Sequence, residues 1–319
     1  MPPSPRRLPP LHAIAAVARV ATLAMALLTA CVACSRAPDE GEEPQSGSKL
    51  SGVLLDLQLN EVSGLAASRQ HDDTLWLNDD GDNPPRLFAV DPHGGRKATF
   101  RIEGVTKTDW EDVAAFEIDG KHYLLIADTG DNGGLRRTLQ LHVVEEPSTL
   151  QNARLEPAWS IAFRWPDGAR DCEAVAVDPR RGEILLISKK RQPPELFSLP
   201  LHPPAGELLT ASRLGSLEGM PPPDPERMRQ APSRAKVDGQ VTAAALSPDG
   251  ATLAVMTYRY LLLYPRAQGG NWADAVSRAP RVSVLPWLPQ AEALDWTADG
   301  RSLYATGEFI PAPLYRITP

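Results

Sequence analysis

Two short stretches of the chain carry residue types that bind cations. Asp79-Asp80-Gly81-Asp82-Asn83 and Asp128-Thr129-Gly130-Asp131-Asn132 are copies of one pattern, Asp-x-Gly-Asp-Asn. Carboxylates and amide carbonyls are the hard oxygen ligands that Ca2+ takes, and glycine permits the tight turn that brings them together. Three further carboxylates, Glu111, Glu173 and Glu292, recur at matching points of a longer repeat. Such groups, converging without a counter-charge, repel one another, so one of them keeps its proton to higher pH or a cation is drawn in. A bound Ca2+ would polarise a carbonyl or phosphoryl oxygen, and a carboxylate left out of its coordination could act as general base on water. The candidate metal ligands are therefore Glu111, Glu173, Glu292, Asp79, Asp128 and Asp131. Lys189, Arg259, Asp112, Asn83 and Asn132 are the candidate ligand-binding residues. Two plainer readings stand beside this one. Asp and Asn cap turns through their own backbone, and Lys189, Lys190 and Arg259 could close the carboxylates into a salt-bridged structural ring. Ser63 and Thr242 occupy the matching points of the other two copies, so the ring of Glu is incomplete.

What must position these residues is a fivefold internal repeat. Each copy has a short strand, a turn, an apolar second strand, a loop, and a third strand carrying Leu followed by an aromatic residue or His. The first strands begin at Ser63, Glu111, Glu173, Thr242 and Glu292, spaced by 48, 62, 69 and 50 residues. The second strands follow at Leu75, Tyr123, Ile184, Leu253 and Leu303, offset by 12, 12, 11, 11 and 11 residues. Turns such as Asp119-Gly120, Pro248-Asp249-Gly250 and Ala298-Asp299-Gly300 separate them. Third strands carry Leu87-Phe88, Leu141-His142, Leu196-Phe197, Leu263-Tyr264 and Leu314-Tyr315, and fourth strands are expected at 98–102, 158–163, 208–214 and 281–285.

The pattern predicts an all-β chain, a single β-propeller of five blades with six as the competing count. The last copy lacks a fourth strand, whereas residues 52–59 precede the first copy without a blade of their own. Pairing of that N-terminal strand with the last copy would close the ring and leave no open sheet edge. The long third spacing comes mostly from residues 218–240, Pro-rich and polar, read as a surface loop. In a four-stranded blade the segment leading into the innermost strand and the loop between strands two and three lie at one end, which gathers the acidic residues at one mouth of the channel. Trp110 and Trp296 are expected to pack between blades.

The N-terminus reads as an export signal. Arg6 and Arg7 precede the uncharged stretch from Val20 to Ala30, too short to span a bilayer, and Leu28-Thr29-Ala30-Cys31 resembles the lipobox of bacterial lipoproteins. By that resemblance residues 1–30 are a signal peptide, Cys31 carries the lipid, residues 31–49 are a flexible acidic tether and 50–319 the folded domain. The implied place is the bacterial cell envelope, with the outer membrane favoured. The 33 basic residues less Arg6, Arg7 and Arg19 leave 30 against 40 acidic ones, a mature charge of −10 that argues against nucleic acid. Cys34 and Cys172 could pair in an oxidising compartment, or Cys172 could be a free buried thiol.

Leu75-Trp76-Leu77-Asn78-Asp79-Asp80-Gly81-Asp82, then Asp109-Trp110-Glu111-Asp112-Val113-Ala114, then Ile126-Ala127-Asp128-Thr129-Gly130-Asp131-Asn132 resembles a set of uncharacterised secreted bacterial propellers, over about residues 60–145. More distantly the layout is similar to the calcium-dependent gluconolactonase and phytase-like propellers, which implies a metal at the channel mouth. The resemblance implies a fold and a cation but no substrate. No Gly-x-Ser-x-Gly, His-Glu-x-x-His or Gly-rich phosphate loop is present. The expected function is binding, by a monomer, of a partner protein, an envelope glycan or a small anionic ligand. The alternative is a calcium-dependent hydrolase of the lactonase, phosphoesterase or esterase type.

Overall fold

Strands buried on both faces need unbroken apolar runs, and Ile184-Leu185-Leu186-Ile187 shows what such a run does. Ile184 and Leu186 pack into a core shared with the preceding copy, while Leu185 and Ile187 pack into a core shared with the following one. The structure, a computed structural model, describes residues 47–81 and 83–319. In it each of the five copies is an antiparallel sheet, a blade, and each sheet is sandwiched between two others. The innermost strands are Val62–Ala67, Trp110–Ile118, Cys172–Asp178, Val241–Leu246 and Ala291–Trp296. Five apolar cores, one for each pair of neighbouring blades, run around the ring, and the fifth joins Leu65 and Phe88 of the first blade to Ala293 and Leu314 of the last. This is a five-bladed propeller. Trp110 lies in the core between the first two blades and Trp296 in that between the last two.

The ring closes as the sequence predicts. The N-terminal strand Ser48–Leu54 pairs antiparallel with the C-terminal strand Ala312–Ile317, Ser48 opposite Ile317 and Leu54 opposite Ala312, and completes the last blade. The pairing segment differs in its limits from the expected 52–59. It starts at Ser48, and a single 3-10 turn, Leu57–Leu59, capped by Asp56, ends it.

Two other expectations are corrected. The segment 208–214 is not one strand: Leu208–Thr210 crosses to pair parallel with Trp159–Arg164 of the second blade, and Ser212–Ser216 forms the fourth strand of the third. Ala153–Leu155 covers the outer edge of the first blade in the same way. Both excursions hide ladder edges that would otherwise offer unpaired backbone groups. Residues 218–240 are not a bare loop either. They hold two short helices, Pro225–Gln230 and Pro232–Ala235, the first capped by Asp224 and tied back by Arg227 to Asp238 at 2.8 Å. Residues 1–46, with Cys31 and Cys34, lie outside the described residues. Cys172 is buried in the third innermost strand, where burial pushes its thiol well above the ordinary range.

One irregularity recurs in every blade. The pairing between first and second strands slips by one residue between Val62 and Gly64, Trp110 and Asp112, Cys172 and Ala174, Val241 and Ala243, and Ala291 and Ala293. The skipped residues are Ser63, Glu111, Glu173, Thr242 and Glu292. A bulge of this kind leaves one residue out of the ladder and re-aims its side chain, so the five repeated positions turn away from the alternation that buries their neighbours.

Candidate functional site

The bulged residues and the residues two before them make two tiers at one end of the channel: Ser63, Glu111, Glu173, Thr242 and Glu292, and Glu61, Asp109, Asp171, Gln240 and Gln290. The second tier is pinned by a repeated backbone bond. Its carbonyls accept N–H groups from the loop between strands two and three: Asp80 to Glu61 at 2.7 Å, Gly130 to Asp109 at 3.2 Å, Lys189 to Asp171 at 3.1 Å and Glu308 to Gln290 at 3.0 Å.

The carboxylates converge where these tiers meet. Asp80, Asp109 and Glu111 each offer an oxygen within 4.8 Å of the others, and Glu111, Asp171 and Glu173 form a second such group. Glu111 belongs to both. It is 2% exposed, its Oε2 accepts the Ser63 hydroxyl at 3.0 Å, and its Oε1 has no hydrogen-bond partner. Burial, reinforced by the charges of Glu173, Asp80 and Asp109 and opposed by Lys189, holds the Glu111 carboxyl well above the usual carboxylate range. Gly130 is what lets the group form: a Cβ there would stand 2.1 Å from Glu111 Oε1 and 2.4 Å from Asp109 Oδ2. These acidic groups could hold a metal ion.

Glu173 and Glu292 stand on either side of Lys189. The Lys189 ammonium is ion-paired with Glu173 and lies 5.2 Å from the Tyr258 ring centre, and the Tyr258 hydroxyl donates to Glu292 Oε1 at 2.9 Å. Burial alone would lower the Lys189 ammonium, but Glu173, Tyr258 and Glu292 override it and keep the group charged. Burial, opposed by Lys189, raises Glu292 to about 7. Glu292 belongs to neither carboxylate group.

The loop acids Asp79, Asp128 and Asp131 are held elsewhere. Asp79 contacts Arg86 at 3.3 Å and Lys107 at 3.8 Å. Asp128 pairs with Arg136 at 2.6 Å and accepts the N–H groups of Thr108 at 2.8 Å and Asp109 at 3.1 Å, which fixes the segment presenting Asp109. Asp131 accepts the N–H groups of Leu135 and Arg136, while its own N–H donates to Asp171 Oδ1 at 2.8 Å. Turn capping accounts for Asp131 and ion pairs hold Asp79 and Asp128, while Asp80 of the first loop is one of the carboxylates that converge. Asn83 donates to Glu61 Oε2 at 2.7 Å, and Asn132 accepts from Lys190 at 2.7 Å. The Arg259 guanidinium lies 5.8 Å from the Tyr260 ring centre. Asp112 is fully buried deeper in the channel, where it accepts Val113 N–H and, across to the next blade, Val175 N–H, both at 2.8 Å.

The converging residues that sequence reading passed over as ligands are Asp80, Asp109 and Asp171. Two of them were signalled by spacing, since each stands two residues before a bulged Glu. Beside Asp171 a cleft of about 270 Å³ opens, lined by Asn132, Gly133, Arg170, Lys190 and Arg191 among others. Lys190 bridges its walls, 2.9 Å from Asp171 Oδ2.

No protein-family model matches the sequence, and no curated protein matches it. Among solved structures the chain is similar to the hydrazine synthase of Kuenenia stuttgartiensis (13% identity, TM-score 0.43, covering 80% of this chain and 71% of that one). It is also similar to a chain of a nidogen/laminin complex (14%, 0.40, 80% and 74%) and to a luciferin-regenerating enzyme (10%, 0.42, 84% and 95%). Likeness at this level carries no statement about activity.

Proposed function

We propose that this protein is a ligand-binding propeller that uses a divalent cation, Ca2+ by the chemistry of its ligands, at the acidic mouth of its channel. The observation that carries the reading is Glu111 Oε1, a buried carboxylate oxygen without a hydrogen-bond partner, facing Asp80 and Asp109 on one side and grouped with Asp171 and Glu173 on the other. Burying such an oxygen unpaired is costly, and a hard cation bound by oxygens removes the cost. The mouth also has the surface of a binding face. Of eight large exposed hydrophobic side chains among the described residues, Leu55, Leu57, Leu135, Trp287 and Phe309 lie on segments at this end. Apolar side chains around a polar centre suit a partner protein or an envelope glycan.

Calorimetry tests the reading. Ca2+ should give a saturable heat with the wild type and bind at least about 100-fold more weakly to Glu111→Gln/Glu173→Gln, as expected when two charged ligands are lost. Equal, negligible heats for both proteins overturn it. In the same reading the protein is exported and held at the envelope, in the outer membrane, by a lipid on Cys31. Cys31→Ser protein should leave the membrane fraction, and a wild type recovered as soluble protein rejects the anchor.

A hydrolase reading has one observation in its favour. Glu292 is raised to about 7, hydrogen-bonded to Tyr258, and outside both carboxylate groups, so it is placed to take a proton from a cation-polarised water. A panel of lactones, esters and phosphoesters assayed with Ca2+ decides it: turnover lost in Glu292→Gln supports the hydrolase, and no turnover of any member rejects it.

A further inference from the structure

We propose that the mouth holds two divalent cations, bridged by the carboxylate of Glu111. This rests on the reading that the mouth binds a cation, and it adds the number of ions and the residue between them.

Two carboxylate groups, Asp80/Asp109/Glu111 and Glu111/Asp171/Glu173, share only Glu111. Within each group the oxygens lie within 4.8 Å of one another, the span across a single ion whose ligands stand about 2.3–2.6 Å away. Asp80 and Asp109 come from the loop of the first blade and the lead-in of the second, whereas Asp171 and Glu173 both belong to the third. Glu111 Oε1 crowds with Asp109 Oδ2 against Gly130, so it faces the first group and has no other partner there. Ser63 takes one lone-pair direction of Oε2, which leaves that oxygen with another.

Charge points the same way. Five carboxylates meet Lys189 and Lys190, the former held by Glu173 and the latter by Asp171. Lys107 and Arg136 are occupied by Asp79 and Asp128. When ionised, the five acids keep a surplus that one divalent ion does not neutralise, and a second ion has its own half of the ligand set. The second ion has open space beside it, because Asp171 also lines the 270 Å³ cleft. A carboxylate-bridged pair of ions about 3.5–4 Å apart can clamp both oxygens of a phosphate or carboxylate group, which sets the class of ligand the cleft would take.

The test is the stoichiometry of Ca2+ binding to the full chain. Calorimetry should find two ions per wild-type chain, one in Asp80→Asn/Asp109→Asn, one in Asp171→Asn, and at least 100-fold weaker binding of both in Glu111→Gln. One ion per wild-type chain overturns the proposal while leaving the cation reading intact, and no binding removes both. A measurement needing no variant guards against misfolding. With two equivalents of Mn2+ on the wild type, electron paramagnetic resonance should show a coupled pair, and the unbroadened six-line spectrum of isolated ions overturns the bridge.

Discussion

The Ser63 hydroxyl donates to both the backbone carbonyl of Glu111, at 2.6 Å, and its carboxylate Oε2, at 3.0 Å. The blade that lacks a bulged Glu thus props the one in the next blade. Thr242 bonds the backbone one residue before the bulged Glu292, donating to the Ala291 carbonyl at 2.7 Å. Ser63→Ala leaves two buried acceptors without that donor and is expected to destabilise the protein by about 1–3 kcal/mol. Urea unfolding measures this, and a change below about 0.5 kcal/mol would show that the latch is idle.

Asp112 ties the second blade to the third. Its two oxygens accept Val113 N–H and Val175 N–H, one bond within the second blade and one across to the third. Asp112→Asn turns an amide N–H2 toward one of those donors, so a loss of about 1–3 kcal/mol in stability is expected, with Ca2+ affinity changed less than threefold. A variant of wild-type stability with abolished Ca2+ binding contradicts this role.

Gly130 tests the crowding at the mouth. A methyl group there meets Glu111 Oε1 and Asp109 Oδ2 well inside contact distance. Gly130→Ala should weaken Ca2+ binding by about tenfold or more, since hard-ion sites depend on ligand placement. Calorimetry showing unchanged affinity would mean the carboxylates stand elsewhere when the ion is bound.

Much of this architecture was legible in residue order because a propeller repeats itself. The offset between first and second strands, held to 11 or 12 residues, located Ser63, Glu111, Glu173, Thr242 and Glu292, and these five are the five bulged positions. Closure was legible from an unpaired strand at each end of the chain. The choice among loop acids was not. Asp79 is claimed by Lys107, 28 positions away, and Asp131 is consumed by the N–H groups of its own turn, so an Asp-rich motif alone does not tell a ligand from a residue that positions one. The fourth strand of the third blade was misplaced for a related reason, because the segment from 208 to 214 is divided between two sheets.

The pH dependence follows from the raised carboxyls. Burial, together with the adjoining Asp80 carboxyl, lifts Asp109 to about 7; burial lifts Glu292 to about 7 against the pull of Lys189; and Glu111 stands well above its ordinary range. Between the ordinary carboxylate pKa and about 7, the folded protein keeps protons that the unfolded chain has released, so without metal its stability falls as pH rises through that window. Thermal unfolding in chelator should show a midpoint lower at pH 8 than at pH 5, and Ca2+ should reverse the drop at pH 8. The ion competes with the same protons. Affinity should therefore climb by about tenfold from pH 6 to pH 8 for Asp109 alone, with protons released on binding below pH 7. Calorimetry in two buffers of different ionisation enthalpy counts those protons. Affinity independent of pH, with no proton released, would mean that the mouth carboxylates do not hold protons that the ion must displace.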